Sequence, residues 1–413
     1  MAKARKDNKG RALRKGETYR KGENNYMYKY RDPMGRIKYI YSNNLLTLRE
    51  REKKLIRDQM DGLDVYVAGR ADVNFAFDRY MSTKTELRST TRANYLYTWD
   101  KYVKDGFGKR KIADIRYSDV LGFYNNLMSE KKLKIATIDN IHTILRPTFQ
   151  LAFRDDIIRK NPCDEVMAEL KKRTGNDRGI RHALTVEEQT AFTKYLEQNE
   201  KFRRWYPLFT IMLGTGMRIG EVLGLRWEDI DLDKRTISVN HALTYYQRYG
   251  DNNRSGCAIS LPKTQAGIRS IPIVDNLVDA FNEQWEMAKI IGGCISEIDG
   301  MSDFIFFNRY LEVLKPASVN DAIRSITESY NAEEILKARR EGREPIILPH
   351  FSCHHLRHTF CTRLCEADIN LKVIQKIMGH KDIKTTMDIY AEVSEFKKHE
   401  SMMKFAEMFN NIL

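Results

Sequence analysis

The sequence is poor in cysteine and contains no apolar run of membrane length. Its six cysteines are not arranged as C-x-x-C pairs, so the spacing indicates neither a zinc site nor a redox motif, and we expect a reducing compartment. We expect no metal and no other cofactor. A secretory leader and a membrane span are both missing from the sequence pattern. We therefore expect a cytoplasmic protein without a membrane partner.

Acidic residues are outnumbered, and the imbalance is local. The formal net charge is +14, with 70 Lys and Arg against 56 Asp and Glu. Residues 1–60 alone hold 18 Lys and Arg against seven Asp and Glu, which leaves the rest of the chain close to balance. A basic segment attached to a balanced body favours nucleic acid as a partner. A solvated basic tail is the alternative for such a charge run.

The basic segment carries the pattern of a hairpin followed by a helix. Apolar or aromatic side chains alternate with polar ones from Tyr26 to Tyr30 and from Ile37 to Tyr41, and a turn is predicted at 32–35. The pattern predicts a hairpin with one aromatic and one partly cationic face, which can enter a DNA major groove. Thr47 and Glu50 have the spacing of a capping box that opens a helix.

The middle of the chain has the pattern of a helical bundle. Residues 71–172 contain helical periodicities, among them a long apolar stripe from Ile138 to Ala152. The polar and cationic residues 173–183 predict a linker, and Thr185 begins a further capping box. With 413 residues in total, several domains are expected.

Short motifs in the second half of the chain hold the residue types that phosphoryl transfer to a tyrosine requires. They are T-G-M-R-I-G-E at 215–221, a lysine at 263, H-H-L-R-H at 354–358, G-H at 379–380 and a tyrosine at 390. Cations must surround a phosphodiester under attack, because its anionic oxygens repel the nucleophile and the transition state spreads charge over them. The motifs supply several cations and one phenol.

Each residue type fits a step of that reaction. Arg218 and Arg357 offer forked donors to phosphate oxygens, which a lysine cannot imitate. The phenol of Tyr390 can attack once its proton leaves. Lys263 is a suitable proton donor to the leaving oxygen, since neighbouring arginines lower the pKa of a lysine. The imidazoles in the remaining motifs can bind the phosphate and relay protons.

The motifs and their order resemble the tyrosine recombinases, whose pattern is T-G-x-R-x-x-E, a hairpin lysine, H-x-x-R-H, G-H and a nucleophilic tyrosine. The resemblance implies the catalytic residues Arg218, Lys263, His354, Arg357, His380 and Tyr390, with Glu221 as a supporting carboxylate. His355 and His358 are interpreted as structural neighbours of those residues.

The resemblance implies a multidomain fold class. We expect a small basic β-sheet plus helix domain at the amino terminus, an all-α helical core-binding domain, and an α+β, mainly helical catalytic domain with a small antiparallel sheet. The expected bounds are 1–70 for the arm-type DNA-binding domain, 71–172 for the core-binding domain, 173–183 for the linker, 184–395 for the catalytic domain and 396–413 for a helical tail that docks in trans.

The function implied is that of a phage or conjugative-transposon integrase. Such an enzyme would cut and rejoin strands through a 3′-phosphotyrosyl bond and a Holliday junction, without a metal ion or ATP. Its expected partners are double-stranded DNA at core and arm sites, further copies of the chain in a homotetramer, and accessory bending or excision factors. The enzyme itself is expected to associate with the nucleoid. A type IB topoisomerase, a Xer-like resolvase and a non-catalytic DNA-binding regulator are the alternatives.

Local patterns predict where the motifs lie. Trp205 to Leu213 predicts a buried helix that breaks before Arg218, and Ile268 to Val274 predicts a strand with Lys263 on the turn ahead of it. Tyr245 to Cys257 predicts an extended loop.

The last two motifs are predicted at the ends of helices. A helix over Leu371 to Met378 would end at Gly379, which suits a left-handed cap, and His380 would follow it. Thr385 and Thr386 would begin the helix that holds the tyrosine.

Overall fold

The computed structural model describes residues 5–31, 37–60, 71–174, 183–247, 255–262 and 267–391. The chain separates into two compact units, 1–179 and 180–413. None of the described helices combines the length and the apolar composition that crossing a bilayer requires. The predicted turn at 32–35, most of the predicted linker and the predicted tail lie outside the described residues.

The amino-terminal segment forms a small sheet with one helix. Strands β1 (Glu17–Arg20), β2 (Asn25–Arg31) and β3 (Ile37–Ser42) pair antiparallel in that order, and helix α1 covers Leu45–Met60. Tyr26, Leu45 and Leu48 are buried together between the sheet and the helix. Burial of these apolar side chains is what holds so small a domain together.

Helix α1 begins earlier than the capping-box pattern predicts. Its first residue is Leu45, and the Oδ1 atom of Asn44 accepts a hydrogen bond of 2.9 Å from the Leu46 backbone N–H. Thr47 therefore lies inside the helix, and the predicted start was wrong. Asparagine caps a helix as well as threonine does, and this earlier start also buries Leu45.

The prediction of a single aromatic face on the hairpin was also wrong. Lys29 pairs with Tyr39 across β2 and β3, and directly opposed residues of an antiparallel pair share one face. Tyr26 and Tyr28 pack with Leu45 and Leu48 of α1, whereas Tyr39 lies beside Lys29 on the other face. The register between the two strands, which the alternation within each strand cannot reveal, decides this arrangement.

The rest of the first unit is helical. Its helices are α2 (Val73–Ser82), α3 (Ser89–Tyr102), α4 (Tyr117–Ser129), α5 (Ile135–Arg154) and α6 (Val166–Thr174). The apolar stripe predicted in this region lies on α5, where Ile138, Leu145 and Phe149 are completely buried. These helices enclose one common hydrophobic core.

The second unit is mainly helical with small antiparallel sheets. Its helices are α7 (Val186–Gln198), α8 (Tyr206–Thr215), α9 (Ile219–Gly224), α10 (Asp275–Ile291), α11 (Pro316–Glu341), α12 (Cys353–Glu366), α13 (Leu371–Met378) and α14 (384–391). Its strands are β4 (Ile230–Asp231), β5 (Thr236–Val239), β6 (Ala242–Gln247), β7 (Ser255–Ser260) and β8 (Arg269–Pro272). Sheet order is β4-β5-β8, and β6 pairs with β7.

The extended loop predicted at Tyr245 to Cys257 was wrong, because β6 and β7 form a hairpin there. Tyr245 pairs with Cys257, and residues 248–254 between the strands lie outside the described part of the chain. Helix α9 packs directly on β6, where a Cβ atom added to Gly220 would approach the Leu243 carbonyl oxygen to 2.5 Å. Because of this close approach, α9, the short helix that follows Arg218, is held against the β6–β7 hairpin.

Candidate active site

A glycine turn between α8 and α9 positions Arg218. Gly216 has a φ of 61°, in the left-handed region, and a Cβ atom there would lie 2.3 Å from Cδ1 of Phe360. Only glycine fits this combination of conformation and space without strain. The helix predicted to break before Arg218 does so, and Arg218 becomes the residue that caps α9.

Arg218 and Glu221 bind each other at this cap. The Arg218 backbone N–H donates to Oε2 of Glu221 over 2.8 Å, and its Nη1 donates to Oε1 over 2.9 Å. Nη2 of Arg218 lies 3.4 Å from the carbonyl oxygen of Gly379. The Arg218 side chain is 42% exposed, whereas the Glu221 side chain is buried. Part of the guanidinium is therefore open to solvent while the carboxylate holds it in place.

Arg357 is a buried arginine of the site. It extends from α12 and donates from Nη1 to the Gly216 carbonyl and from Nη2 to the Met378 carbonyl, both over 2.6 Å. Burial, followed by the charge of Arg218, lowers the pKa of Arg357 to about 9, so the guanidinium remains protonated at neutral pH. One side chain thus joins the turn before Arg218 to the end of α13.

The three histidines of α12 have different surroundings. His354 is exposed and lies three residues before Arg357, close to the same helix face. Nδ1 of His355 accepts a hydrogen bond of 3.1 Å from the Ser352 backbone N–H, which caps the helix. Nδ1 of His358 lies 3.5 Å from the Thr362 hydroxyl. The capping bond of His355 agrees with its interpretation as a structural residue.

His380 follows the left-handed cap predicted at the end of α13. Gly379 has a φ of 62°, and the His380 backbone N–H donates to the Gln375 carbonyl over 3.2 Å. Burial, followed by the charges of Arg357 and Arg218, lowers the pKa of His380 to about 4. The imidazole is therefore neutral at neutral pH, and its Nδ1 lies 3.0 Å from the Thr386 hydroxyl.

Tyr390 lies on α14, and its side chain is partly exposed. Its neighbour Ile389 packs in a small core with Cys361 and Met378, which fixes the helix against α12 and α13. Lys263 lies outside the described residues, between β7 and β8. Within the described ranges, no cluster of three or more His, Cys, Asp or Glu side chains is arranged to hold a metal ion.

The structure therefore brings four of the predicted residues into one electrostatic cluster. These are Arg218, Glu221, Arg357 and His380, whose charges influence one another. His354 lies on the same helix as Arg357, and Tyr390 lies on α14, whose Thr386 hydroxyl is 3.0 Å from Nδ1 of His380. Residues 182–396, which contain all of these positions, match the Phage integrase family over more than half of the chain.

The chain belongs to the phage integrase family. Residues 1–59 of this integrase match the DNA binding domain of tn916 integrase, and residues 74–128 match the N-terminal SAM-like domain of phage integrases. The predicted fold class, a small sheet domain, a helical domain and a mainly helical catalytic domain, is confirmed.

Relatives extend over nearly the whole integrase. The transposase from transposon Tn1545 of Streptococcus agalactiae is 32% identical over 407 residues, which cover 95% of each chain. The transposase from transposon Tn916 of Enterococcus faecalis is 31% identical with the same coverage. A solved fragment of the Tn1549 transposon integrase, in complex with transposon right end DNA, has a TM-score of 0.69 and 28% identity, and it covers 81% of this chain and 100% of the fragment. The protein is thus a tyrosine recombinase, a site-specific DNA integrase.

Arg269 of the integrase is a site residue that the sequence analysis missed. Its side chain is 5% exposed and donates from Nη2 to Oε2 of Glu221 over 2.8 Å and from Nε to the Ile377 carbonyl over 2.7 Å. Burial acts to raise the pKa of Glu221, but the hydrogen bonds from Arg269 outweigh it and hold the pKa below its ordinary value. The available signal was strand alternation, because Arg269 shares a strand face with the buried Ile271.

Replacing Arg269 by methionine is expected to destabilise the catalytic unit by about 3–5 kcal/mol, because the buried carboxylate of Glu221 would lose its main partner. Urea unfolding measures this change. The matched control is Arg235→Met, which breaks an exposed pair with Asp275 and should cost about 0–1 kcal/mol. Equal losses in the two variants would contradict a structural role for the buried pair.

Proposed function

We propose that this integrase inserts and excises a mobile DNA element, and that Tyr390 makes the 3′-phosphotyrosyl bond. The observation that carries this proposal is the cluster of Arg218, Arg357 and His380 at the end of α13, with the helix of Tyr390 packed beside it. Similarity to the transposases of Tn1545 and Tn916 supports a mobile element as the substrate. The solved Tn1549 fragment with transposon end DNA supports DNA ends as the binding partner.

In the proposed reaction, the two arginines hold the scissile phosphate. Arg218 is partly exposed and can direct donors at a non-bridging oxygen while Glu221 keeps its orientation. Arg357 contributes a second guanidinium, whose orientation is fixed by its hydrogen bonds to the Gly216 and Met378 carbonyl oxygens. Donors placed in advance where negative charge develops stabilise the transition state without further reorganisation.

The remaining residues move protons or bind the phosphate. We assign the protonation of the departing 5′-oxygen to Lys263, and phosphate binding to His354 and His380. The pKa of His380, lowered to about 4, makes it a neutral hydrogen-bond donor rather than a cation at neutral pH. Attack by the Tyr390 oxygen, whose proton is lost to solvent, forms the phosphotyrosyl bond and breaks the bond from phosphorus to the 5′-oxygen, which takes the Lys263 proton and leaves as a 5′-hydroxyl group. That hydroxyl attacks a second phosphotyrosyl bond, so the bond energy is retained and no ATP is consumed.

We assign the DNA contacts to separate domains. Residues 1–70 would bind arm sites. The domains at 71–172 and 184–395, which the linker at 173–183 connects, would together bind core sites. The tail at 396–413 would dock on a neighbouring copy. Four copies would assemble on paired DNA sites and pass through a Holliday junction, with accessory factors setting the direction. Such an enzyme would act on DNA at the nucleoid.

The exposed face of the amino-terminal sheet is the proposed arm-site contact. Lys29, Tyr39 and Tyr41 lie on the face away from α1, and the guanidinium of Arg20 lies 5.8 Å from the Tyr41 ring centre. Cations bind phosphates, and aromatic side chains supply apolar contacts to base edges in the major groove. This face joins both kinds of group on one side of the three-stranded sheet.

Lys29→Ala is expected to weaken binding to DNA from the element's end and to lower the salt dependence of that binding by about one unit of slope, because one phosphate contact is lost. Fluorescence anisotropy at several salt concentrations measures both effects. Lys53→Ala on the exposed side of α1 removes the same charge and is the control. Equal slopes in the two variants would exclude the sheet face as the contact.

A nicked DNA duplex that carries the element's end tests the proposed function. After cleavage the short strand segment next to the nick diffuses away, so the covalent complex accumulates, and peptide mapping identifies the linked residue. We expect Tyr390 joined to a 3′-phosphate. Strand transfer to a second duplex should follow when a 5′-hydroxyl is supplied. Supercoil relaxation without strand transfer would instead support the topoisomerase alternative.

A further inference from the structure

A buried hydrogen bond connects His380 to the helix of Tyr390. The hydroxyl of Thr386 lies 3.0 Å from Nδ1 of His380, and Thr386 is completely buried. The backbone around the histidine is also fixed, since Gln375 accepts from its N–H and donates from Nε2 to its carbonyl oxygen. The position of Nδ1 is therefore determined by its surroundings.

The direction of this bond follows from the threonine. Other helical threonines of the chain, such as Thr148, Thr215 and Thr359, donate to the carbonyl oxygen four residues earlier. Within the described part of the chain, Nδ1 of His380 is instead the one hydrogen-bonding partner of the Thr386 hydroxyl. A buried hydroxyl needs an acceptor for its proton. An Nδ1–H group would leave the Thr386 proton without one.

We propose that the Thr386 hydroxyl donates to Nδ1 of His380 and thereby holds the neutral imidazole in its Nε2–H tautomer, with Nε2 as the donor toward the scissile phosphate. Thr386 is a positioning residue, because it acts through His380. The opposite tautomer would present a lone pair to the anionic phosphate, and that contact is repulsive. The inference rests on the proposed role of His380 in cleavage.

The same bond couples the histidine to the nucleophile. Thr386 precedes Tyr390 by four residues on α14, so the two side chains lie on one face of the helix. A single hydroxyl therefore sets the donor atom of His380 and also ties the helix of the attacking phenol to the phosphate site. Thr386 therefore positions His380 in addition to its predicted place at the start of the helix.

Two measurements on the full chain test the inference. In the first, nitrogen-15 NMR of labelled histidines identifies the tautomer of His380, with the signal assigned by its loss in His380→Ala. We expect the Nε2–H form in the unmodified protein, and a mixture of tautomers in Thr386→Val. An Nδ1–H signal in the unmodified protein would overturn the inference.

The second measurement is the single-turnover rate of covalent complex formation on nicked DNA. Thr386→Val should lower the rate about tenfold to hundredfold. Complete loss of a donor to the phosphate sets the upper limit of this effect, because Thr386 acts only through that donor. Thr386→Ser keeps the hydroxyl and should restore most of the rate. Thr385→Val, an exposed neighbour on the same helix, is the matched control and should have little effect.

The double variant separates the possible outcomes. With His380→Ala already present, Thr386→Val should cause no further loss, because the threonine would have nothing left to position. Losses that multiply would mean that Thr386 acts on the Tyr390 helix alone, which overturns the inference. If His380→Ala left the rate unchanged, the proposed role of His380 would fail, whereas the NMR result would still report the direction of the bond.

Discussion

Replacing Tyr390 by phenylalanine is expected to abolish covalent protein–DNA complexes while DNA binding stays intact. The change removes one oxygen atom, the proposed nucleophile, from a partly exposed side chain on α14. Loss of a nucleophile typically lowers the rate by about 10⁴-fold or more, since none of the remaining groups can form the intermediate. Complexes that resist SDS on nicked DNA measure cleavage, and anisotropy measures binding.

A second tyrosine provides the control. Tyr310 is exposed in the same unit, and Tyr310→Phe should leave both cleavage and binding unchanged. Covalent complexes that persist in the Tyr390 variant would remove this residue from its proposed role. Peptide mapping of such complexes would then identify the true nucleophile.

Arg218→Lys is expected to lower the cleavage rate by about 10²- to 10³-fold although the charge is kept. The guanidinium donates to Glu221 and still has an exposed part for the phosphate, and an ammonium group cannot serve both partners in the same geometry. Single-turnover cleavage of nicked DNA measures the effect. The unfolding curve should change little, because lysine can still pair with Glu221.

An arginine outside the site serves as the reference for this variant. Arg235→Lys alters an exposed pair with Asp275 and should cleave at the unmodified rate. If the Arg218 variant cleaved as fast as this reference, the proposed phosphate contact would be rejected. Equal DNA affinity in both variants would confirm that the loss lies in the reaction and not in binding.

Much of the site was predictable because its motifs are local. The break at Gly216 and the left-handed cap at Gly379 depend on residues within a few positions of each other. Glycine conformation and helical periodicity report such features directly. The errors arose where pairing between strands determines the structure. The register places Lys29 opposite Tyr39, and a hairpin replaces the loop predicted at Tyr245.

Sequence alone determined which reactive groups the integrase has, since the order of its arginines, histidines and tyrosine is specific to one chemistry. The tertiary structure decided how these groups are held. It placed Arg269 against Glu221 and Thr386 against His380, across separations of 48 and six residues. Partners of buried polar groups are set by packing between elements, because such groups must find a hydrogen bond wherever the fold leaves them, and no local pattern specifies that place.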